Sequence, residues 1–401
     1  MANITDFAVK ALWGTMSFDF ASISSRGRSG DSWSITDNNS QNHMIQLKNK
    51  LKNLKHMLKA WSCDKKYLHN KEINLIQESL LGIDMRLDQG VGLPDDVLNR
   101  SKLVRELDDL NKKESIDLAQ KAKVKWAIEG DENSKFYHGI VNKKEDWDRV
   151  PLVNQFPRVL SSDLSRNLEA VVSSDEIKKA IWDCGSDKTS SPDGFTLDFF
   201  KKYWLIIGND VILAVKEFFS TCSIPNGCNP SFIALIPKVL DAKLLNDFRP
   251  ISLVGCQYKI IGKILANRLS YVIDDLISQD QSAFVKGRQI MEGPIILNEV
   301  ISWCKAKKEK ALLFKVDFQK AFDSVRWDHL DDILDKFGFG HTWRHWIKSC
   351  LYSSKVSILV NGSPTDEFSF HRGLRQGDPL SPFLFILVMK SLRISFQRLI
   401  D

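Results

Sequence analysis

The sequence predicts an α+β fold in which a helical N-terminal part precedes a mixed region of helices and strands. Between about 43 and 145 leucine and isoleucine recur at spacings of three and four, which is typical of amphipathic helices. From residue 151 onward, short apolar runs indicate buried strands, as in FIALIPKV at 232–239 and LLFKV at 312–316. A second extended stretch follows at DFRPISLV, 247–254. Periodic helical segments such as IIGKILANRLSYVIDDLIS at 260–278 separate these runs. Earlier in this region, SSDEIKKAIWDC begins a helix with Ser174 as N-cap, and SSPDGF at 190–195 is a turn.

The composition is that of a soluble globular protein with more than one domain. The chain has 401 residues, of which 43% are hydrophobic and 26% charged. Its net charge of +6 permits a nucleic-acid partner without requiring one. The seven cysteines are scattered and form no CxxC spacing, which argues against a zinc site or a disulfide framework and favours a reducing compartment.

The N-terminus MANITDFAVKALWG lacks the basic region, apolar run and cleavage site of a signal peptide. No stretch reaches the roughly 18 apolar residues of a transmembrane helix. We therefore expect a protein of the nucleus or cytoplasm that is neither secreted nor membrane-spanning.

The N-terminal part divides into two segments. Residues 1–40 are rich in Ser, Gly, Asn and Asp, so we expect low order there. Residues 41–150 form the helical part, and the lysines between 48 and 59 lie on the polar face of its first helix. These lysines are either a solvated face or a phosphate-contacting surface. The basic and aromatic residues of 126–144 leave a similar choice between helix packing and stacking on a nucleic-acid strand.

Asp317 is the first candidate for chemistry, because it ends the apolar run 312–316. A carboxylate at the end of a buried strand is costly unless something offsets its charge. A hard cation such as Mg²⁺, which prefers oxygen ligands, would do so. The alternative is that Asp317 is an ordinary helix N-cap.

A second candidate is the segment GLRQGDPLSPFLF at 373–385. Gly373 and Gly377 bracket a loop, and Asp378-Pro379 is typical of a helix start. Glycine lets backbone approach a ligand closely, and Gln376 is placed to touch it. Alone the signal is weak, since many loops begin helices in this way.

Six motifs in a fixed order make the signal specific. The sequence resembles the reverse transcriptases of LINE-type (non-LTR) retrotransposons, the plant lineages in particular, over about residues 120–401. The segment before it looks like the connector that follows the endonuclease in those polyproteins, and ALWGTMSFDFASISSRGRSG looks like an endonuclease remnant. The motifs that carry the resemblance are, in order, SPDGF, IPK, FRPIS, QSAFVKGR, KVDFQKAFDSV and GLRQGDPLSPFLF.

The resemblance implies a right-hand polymerase fold, with fingers and an incomplete palm preceded by a helical connector. The implied domains are a possible endonuclease remnant at 1–40, the connector at 41–150, fingers at 151–310 and a partial palm at 311–401. The implied partners are an RNA template, a DNA primer and dNTPs, with no membrane and no stable protein partner.

The resemblance also implies the roles of individual residues. Asp317 is the catalytic, metal-binding aspartate, and the carbonyl of Phe318 lies beside it on two Mg²⁺ ions. Phe322 excludes a ribose 2′-hydroxyl, unless it is simply a core aromatic, and Asp323 is interpreted as a structural cap. Lys238 and Arg249 are expected to hold the triphosphate, and the alternative is that they are surface charge. Gln376 and Gly377 are expected to pack on the incoming base pair. Arg288 and Arg375 are expected to contact nucleic acid.

The sequence departs from the family at two places. Ser190-Ser191 stands where Pro-Gly is usual, which predicts a shifted fingertip loop. The Tyr/Phe-Ala-Asp-Asp turn with the second metal-binding aspartates is absent, and Asp274-Asp275 lies on a predicted helix instead. We therefore expect an RNA-directed DNA polymerase by lineage that is inactive as it stands, or else a non-catalytic RNA- or DNA-binding protein. We also expect marginal stability or aggregation, with apolar faces of the 312–316 strand and the 382–389 helix partly uncovered.

Overall fold

The structure is a computed structural model. It describes residues 42–89, 93, 95–107, 110, 156–185, 191–240, 247–279, 281–285, 287–311, 313, 315–316, 318, 320–360 and 363–400. The expectations for 1–40 and 126–144, and the placement of Asp317, lie outside these residues.

The chain divides into two compact units, one of residues 1–36 and 48–129 and the other of residues 37–47 and 130–401. Most of helix α1, His43–Asp88, belongs to the first unit. Residues 96–107 are also helical, and an ion pair joins Arg86 to the buried Asp96 at 2.9 Å. The predicted helical character is thus confirmed where residues 41–150 are described.

The second unit combines helices with one small sheet, which confirms the predicted α+β class. Its helices are α2 Ser162–Leu168, α3 Ser174–Trp182, α4 Leu197–Lys202, α5 Trp204–Thr221, α6 Cys256–Leu276, α7 Glu292–Lys307, α8 Trp327–Lys336, α9 His341–Tyr352 and α10 Ser381–Ile400. Its strands are β1 Pro230–Pro237, β2 Phe248–Val254, β3 Lys355–Val360, β4 Ser363–Pro364 and β5 Phe368–Ser369.

The sheet has the order β2-β1-β3-β4, and β5 also pairs with β3. β1 is antiparallel to β2 and parallel to β3. Its core consists of side chains from β1, β2 and β3, namely Ile233, Leu235, Phe248, Val356 and Ile358. The strand predicted at 232–239 and the extended stretch predicted at 247–254 are confirmed as β1 and β2, which contribute Ile233, Leu235 and Phe248 to this core.

Helix α6 is the buried helix behind the loop that carries Gln376. It is buried around much of its circumference rather than along one stripe. The predicted SSPDGF turn begins its support: Gly194 has φ 87°, and Asp193 Oδ2 accepts a hydrogen bond at 3.1 Å from the backbone N–H of Cys256 at the helix start. The Asp193 carboxylate thus accepts a hydrogen bond from an N–H group in the first turn of α6 that has no acceptor within the helix. Asp274 and Asp275 lie on α6, as predicted.

The predicted strand at 312–316 does not form in the described part of that run. Residues 313, 315 and 316 have no regular structure, and the side chains of Leu313 and Val316 are 62% and 44% exposed. An apolar run becomes a strand only where a neighbouring strand pairs with its backbone, and none of the strand pairings among the described residues includes 313, 315 or 316.

The uncovered apolar surface lies partly where it was not expected. On α10, Leu384, Ile386 and Leu387 are buried, whereas Phe383, Phe385, Val388 and Met389 are half-buried, so the apolar face of the 382–389 helix is partly uncovered, as expected. Helix α7 has no buried residue along its described length, and its Trp303 is 57% exposed. Apolar side chains are thus exposed on α7 and in the described residues that follow it, as they also are along α1.

Two helix starts differ slightly from the prediction. The N-cap of α3 is Ser173, one residue earlier than predicted, and its side chain accepts from the Glu176 N–H. Helix α10 begins at Ser381 rather than at Asp378-Pro379. Within the described residues, no helix combines the length and hydropathy needed to cross a membrane.

Candidate nucleotide-binding site

Three segments from distant parts of the sequence meet at one place beside the sheet. They are strand β2, the turn 320–324 (the Phe322 turn) and the loop 373–378 (the Gln376 loop). The Gln376 carbonyl accepts a hydrogen bond from Ser252 N–H of β2 at 2.8 Å. On the other side of the loop, Leu374 N–H donates to the Phe322 carbonyl at 2.8 Å. The Gln376 loop therefore bridges the strand and the turn.

The ring of Phe322 has a fixed position in this arrangement. It is half-buried and stacks on Phe385 of α10, with ring centroids 4.8 Å apart and planes 18° apart. Trp327 Nε1 donates to the Gly373 carbonyl at 2.8 Å, which ties the residues after the turn to the loop. Both predicted interpretations of Phe322, a core aromatic and a residue facing a ligand, are compatible with its half-burial.

The two glycines of the loop are needed for close approach. Gly373 has φ 92°, and a Cβ there would lie 3.1 Å from the Asp323 carbonyl oxygen. Gly377 has φ 93°, and a Cβ there would lie 3.2 Å from the Ser252 carbonyl oxygen. L-residues rarely adopt such φ angles, so glycine satisfies both the conformation and the space. Gly377 is exposed and Gln376 half-buried, as suits residues that meet a ligand.

Arg375, by contrast, points into the protein and is 5% exposed. Its Nη1 donates to Asn229 Oδ1 and to Ser231 Oγ, each at 3.1 Å, and its Nη2 donates to the Cys350 carbonyl at 3.1 Å. This burial differs from the predicted contact with nucleic acid, because the guanidinium presents almost no surface to a partner. Sequence reasoning missed this, since no local signal separates a buried arginine from an exposed one.

Asp378 balances the charge of Arg375 from the other end of the loop. The closest distance from its carboxylate to Arg375 Nε is 3.6 Å, and it accepts hydrogen bonds from the Tyr258 hydroxyl and the Leu380 N–H. Burial raises the pKa of Tyr258 well above its usual range, with Arg375 lowering it and Asp378 raising it. Tyr258 therefore remains a protonated donor at physiological pH.

Asp323 is surrounded by cationic groups that the sequence did not place together. Burial raises the pKa of its carboxyl group, while the charges of Lys320, Arg372 and Lys238 lower it. Lys320 belongs to the Phe322 turn, Arg372 immediately precedes the Gln376 loop, and Lys238 immediately follows β1. Asp323 lies in a turn, whereas the prediction made it a helix cap.

Lys238 and Arg249 lie on the hairpin formed by β1 and β2. Lys238 follows β1 directly, its backbone N–H donates to the Asp247 carbonyl at 2.6 Å, and Arg249 lies opposite Ile236 in the antiparallel register. Both side chains are exposed. The structure thus brings two predicted triphosphate residues to one end of one hairpin.

Arg288 is engaged within the protein. Its guanidinium donates to the carbonyls of Ser278 and Gln281 at 2.6 and 2.7 Å and pairs with Asp274 at 2.5 Å. These contacts close the loop after α6. Only 15% of the Arg288 side chain is exposed. The charge of Arg288 is therefore poorly accessible for the predicted contact with nucleic acid.

The described residues alone do not make a metal site. Among them, no group of three or more His, Cys, Asp or Glu side chains is placed to hold a metal ion. Asp317 lies outside the described residues, and Phe318 is described with its side chain 40% exposed. The described donors therefore do not fit a metal without Asp317.

Residues 236–399 match the family model of reverse transcriptase (RNA-dependent DNA polymerase). The match begins in β1 and ends in α10, so it includes all three segments that meet at the site.

Several curated proteins are similar to this chain. A 149 kDa protein of transposon TX1 from Xenopus laevis is 30% identical over 62% of the chain and 18% of its own length. The Pol polyprotein of a type-1 R2 retrotransposable element from Popillia japonica is 31% identical over 41% of the chain and 23% of its own length. That of the type-2 element R2DM from Drosophila melanogaster is 28% identical over 50% of the chain and 18% of its own length. The chain thus spans about a fifth of the length of these relatives.

Proposed function

We propose that this chain supplies the nucleotide-binding surface of an RNA-directed DNA polymerase, because residues 236–399 are a reverse transcriptase domain similar to those of non-LTR retrotransposons. The observation that carries the proposal is the meeting of β2, the Phe322 turn and the Gln376 loop. These segments hold four of the residues to which the resemblance gives a role at the nucleotide, namely Arg249, Phe322, Gln376 and Gly377. The finer division into fingers at 151–310 and partial palm at 311–401, and the plant lineage, belong to the same proposal.

The exposed end of the β1–β2 hairpin is proposed to hold the triphosphate. Lys238 supplies a flexible point charge, and the planar guanidinium of Arg249 suits a two-point contact with phosphate oxygens. Arg372 and Lys320, which lie in the electrostatic surroundings of Asp323 together with Lys238, add positive charge. A polyanionic ligand is favoured where several cations gather around one carboxylate.

The Phe322 turn and the Gln376 loop are proposed to recognise the sugar and the base. A half-buried ring beside a sugar leaves little room for a 2′-hydroxyl, so Phe322 favours deoxynucleotides. Gln376 and the exposed Gly377 present side-chain amide and bare backbone to the base pair between the nucleotide and the RNA template.

Reverse transcriptases as a family depend on divalent metal ions, and Mg²⁺ would stabilise the charge of a transferring phosphoryl group. Asp317 and the Phe318 carbonyl are the proposed ligands in this chain. The described residues contribute a neighbouring cluster of cations rather than further carboxylate ligands.

The 401 residues contain no Tyr/Phe-Ala-Asp-Asp sequence. We therefore propose that this polypeptide, used as it stands, binds nucleotide and primer–template without extending the primer. A single aspartate and one carbonyl do not fix two metal ions.

The test is binding of a fluorescent dATP analogue to the 401-residue polypeptide with Mg²⁺. Arg249→Ala and Lys238→Ala are each expected to weaken binding about tenfold, which is the loss of one charge-assisted contact at about 1.4 kcal/mol. Arg166→Ala removes an exposed arginine of α2 and is the matched control, expected to change nothing. No binding by the parent chain, or equal losses in all three variants, contradicts the proposal.

Primer extension on an RNA template completes the test. We expect no extension by the parent chain or by Asp317→Ala. Extension by the parent chain that Asp317→Ala abolishes would refute the proposed inactivity and retain the polymerase assignment.

The exposure of Lys238 and Arg249 also favours a second candidate, a non-catalytic RNA- or DNA-binding protein. Such binding depends on phosphate contacts and weakens steeply with salt. RNA binding at low salt that is lost at high salt, together with no nucleotide binding at any Mg²⁺ concentration, would select this candidate.

A further inference from the structure

Arg375 and Asp378 form a buried pair on either side of Gln376 and Gly377. Their side chains are 4% and 3% exposed. Arg375 and Asp378 are thus buried, whereas the two residues between them, Gln376 and Gly377, are accessible from the surface. The buried side chains of Arg375 and Asp378 therefore hold the backbone on both sides of Gln376 and Gly377.

The contacts of Arg375 reach three elements and the residue that precedes a fourth. Its Nη1 donates to Ser231 on β1 at 3.1 Å and approaches Ser354 Oγ, just before β3, at 3.4 Å. Its Nη2 donates to the carbonyl of Cys350 on α9, and its guanidinium lies 3.8 Å from the ring centroid of Tyr258 on α6. A planar fork with several fixed donors makes such a set of contacts, whereas the single ammonium group of lysine does not.

The loop held in this way touches both neighbouring segments of the site. The Gln376 carbonyl accepts from Ser252, three residues along β2 from Arg249, and Leu374 donates to the carbonyl of Phe322. A shift of Arg375 would therefore move the loop relative to the proposed triphosphate residue and to the proposed sugar-facing ring.

We propose that Arg375 is a positioning residue of the nucleotide site, whose buried guanidinium keeps Gln376 and Gly377 in place against β2 and the Phe322 turn. It acts through the loop and makes no contact with nucleotide or nucleic acid. The identity of the ligand rests on the proposed function, whereas the coupling of Arg375 to β2 does not.

The first arm of the test measures amide hydrogen exchange in the 401-residue chain. Arg375→Lys is expected to speed exchange at the Ser252 amide at least tenfold and to leave the amides of α5 unchanged. Arg344→Lys is the matched control, because Arg344 is a partly buried arginine paired with Asp331 and Asp335. Unchanged protection at Ser252 overturns the proposal, and so does an equal loss in α5, which would make Arg375 a residue of general stability.

The second arm separates positioning from direct contact. Arg375→Met/Asp378→Asn removes both buried charges, and its binding to an RNA–DNA primer–template is measured across salt concentrations. We expect affinity to fall about tenfold while the dependence of log affinity on log salt keeps its slope. A slope reduced by about 0.7–0.9 would signify a lost phosphate contact and would overturn the proposal.

Two further variants keep the test decisive if Arg375→Lys does not fold. Ser231→Ala removes a single acceptor, and Gly377→Ala disturbs the loop from its exposed side, so both are expected to speed exchange at Ser252 severalfold. Wild-type exchange at Ser252 in both variants overturns the proposal. A parent chain that binds no nucleotide refutes the proposed function alone, since the exchange arm then still decides the role of Arg375.

Discussion

Phe385 of α10 lies flat against Phe322, with their ring centroids 4.8 Å apart and their planes 18° apart. The contact joins residues 63 positions apart in sequence, and it fixes the direction of a ring that we propose to face the sugar of a nucleotide. The position of Phe322 therefore depends on the packing of α10 as well as on its own turn.

The first prediction concerns this stacked pair. Phe385→Ala is expected to reduce the preference for dATP over ATP at least threefold, because the Phe322 ring loses its support. Aromatic pairs contribute about 0.5–1.5 kcal/mol beyond burial, which corresponds to this range. The measurement is competition of dATP and ATP against a fluorescent analogue. Phe383→Ala, at a half-buried position of the same helix, is the control and is expected to keep the preference.

The second prediction concerns backbone strain in the Gln376 loop. Gly373→Ala is expected to lower the free energy of unfolding by about 1–3 kcal/mol, since φ is 92° and the added Cβ meets the backbone of Asp323. Gly293→Ala places a Cβ in open space on α7 and is expected to be neutral or stabilising by up to about 1 kcal/mol. Urea denaturation measures both, and equal effects of the two substitutions would refute the strain.

The third prediction concerns pH and Asp323, whose folded pKa is raised by burial above the ordinary value of 3.8. Between pH 3.8 and the raised pKa, the folded state keeps a proton on this carboxyl that the unfolded state has lost. The free energy of unfolding therefore decreases as pH rises through this interval. We expect the unfolding free energy of the parent chain, minus that of Asp323→Asn, to fall as pH rises from 3.8 to the raised pKa. Urea titrations at several pH values measure the difference.

The control for this titration is Asp163→Asn, which removes an exposed carboxylate paired with Arg166. A difference curve for Asp323→Asn that rises with pH would show that the surrounding cations dominate over burial.

The fourth prediction concerns the apolar surface of α7. Ile296→Lys combined with Trp303→Lys is expected to reduce self-association and binding of a hydrophobic dye, because both side chains are exposed on a helix with no buried residue along its described length. Light scattering and dye fluorescence measure the change. Tyr271→Lys removes an exposed aromatic on α6 instead and is expected to have little effect. Unchanged scattering in the α7 variant would place the source of association elsewhere.

Sequence patterns predicted the parts of the fold that local chemistry decides. Strands β1 and β2 and helix α6 were predicted because their apolar spacing is a property of a few neighbouring residues. The strand predicted at 312–316 did not form in the described residues of that run. Its apolar character is also compatible with exposure when no partner strand pairs with it.

The inward direction of Arg375 was beyond sequence reasoning for a related cause. Its partners Asn229 and Cys350 lie 146 and 25 residues away, and only the folded arrangement brings them together. The loop at Gln376 and Gly377 was predicted from its glycines and the helix start that follows, which are local signals, whereas the ligand contacts of these two residues stay a prediction. Residues whose surroundings are local were therefore the predictable ones.

The parallel pairing of β1 with β3 has a consequence for synthesis on the ribosome. Pro230 lies opposite Lys355, so this pairing joins residues 125 positions apart in the chain. At about 5–20 residues per second, β1 waits on the order of 10 s for its partner strand to be translated. During that time the β1–β2 hairpin presents an open edge and the apolar face of Ile233 and Leu235, which is the kind of surface that a nascent-chain chaperone binds.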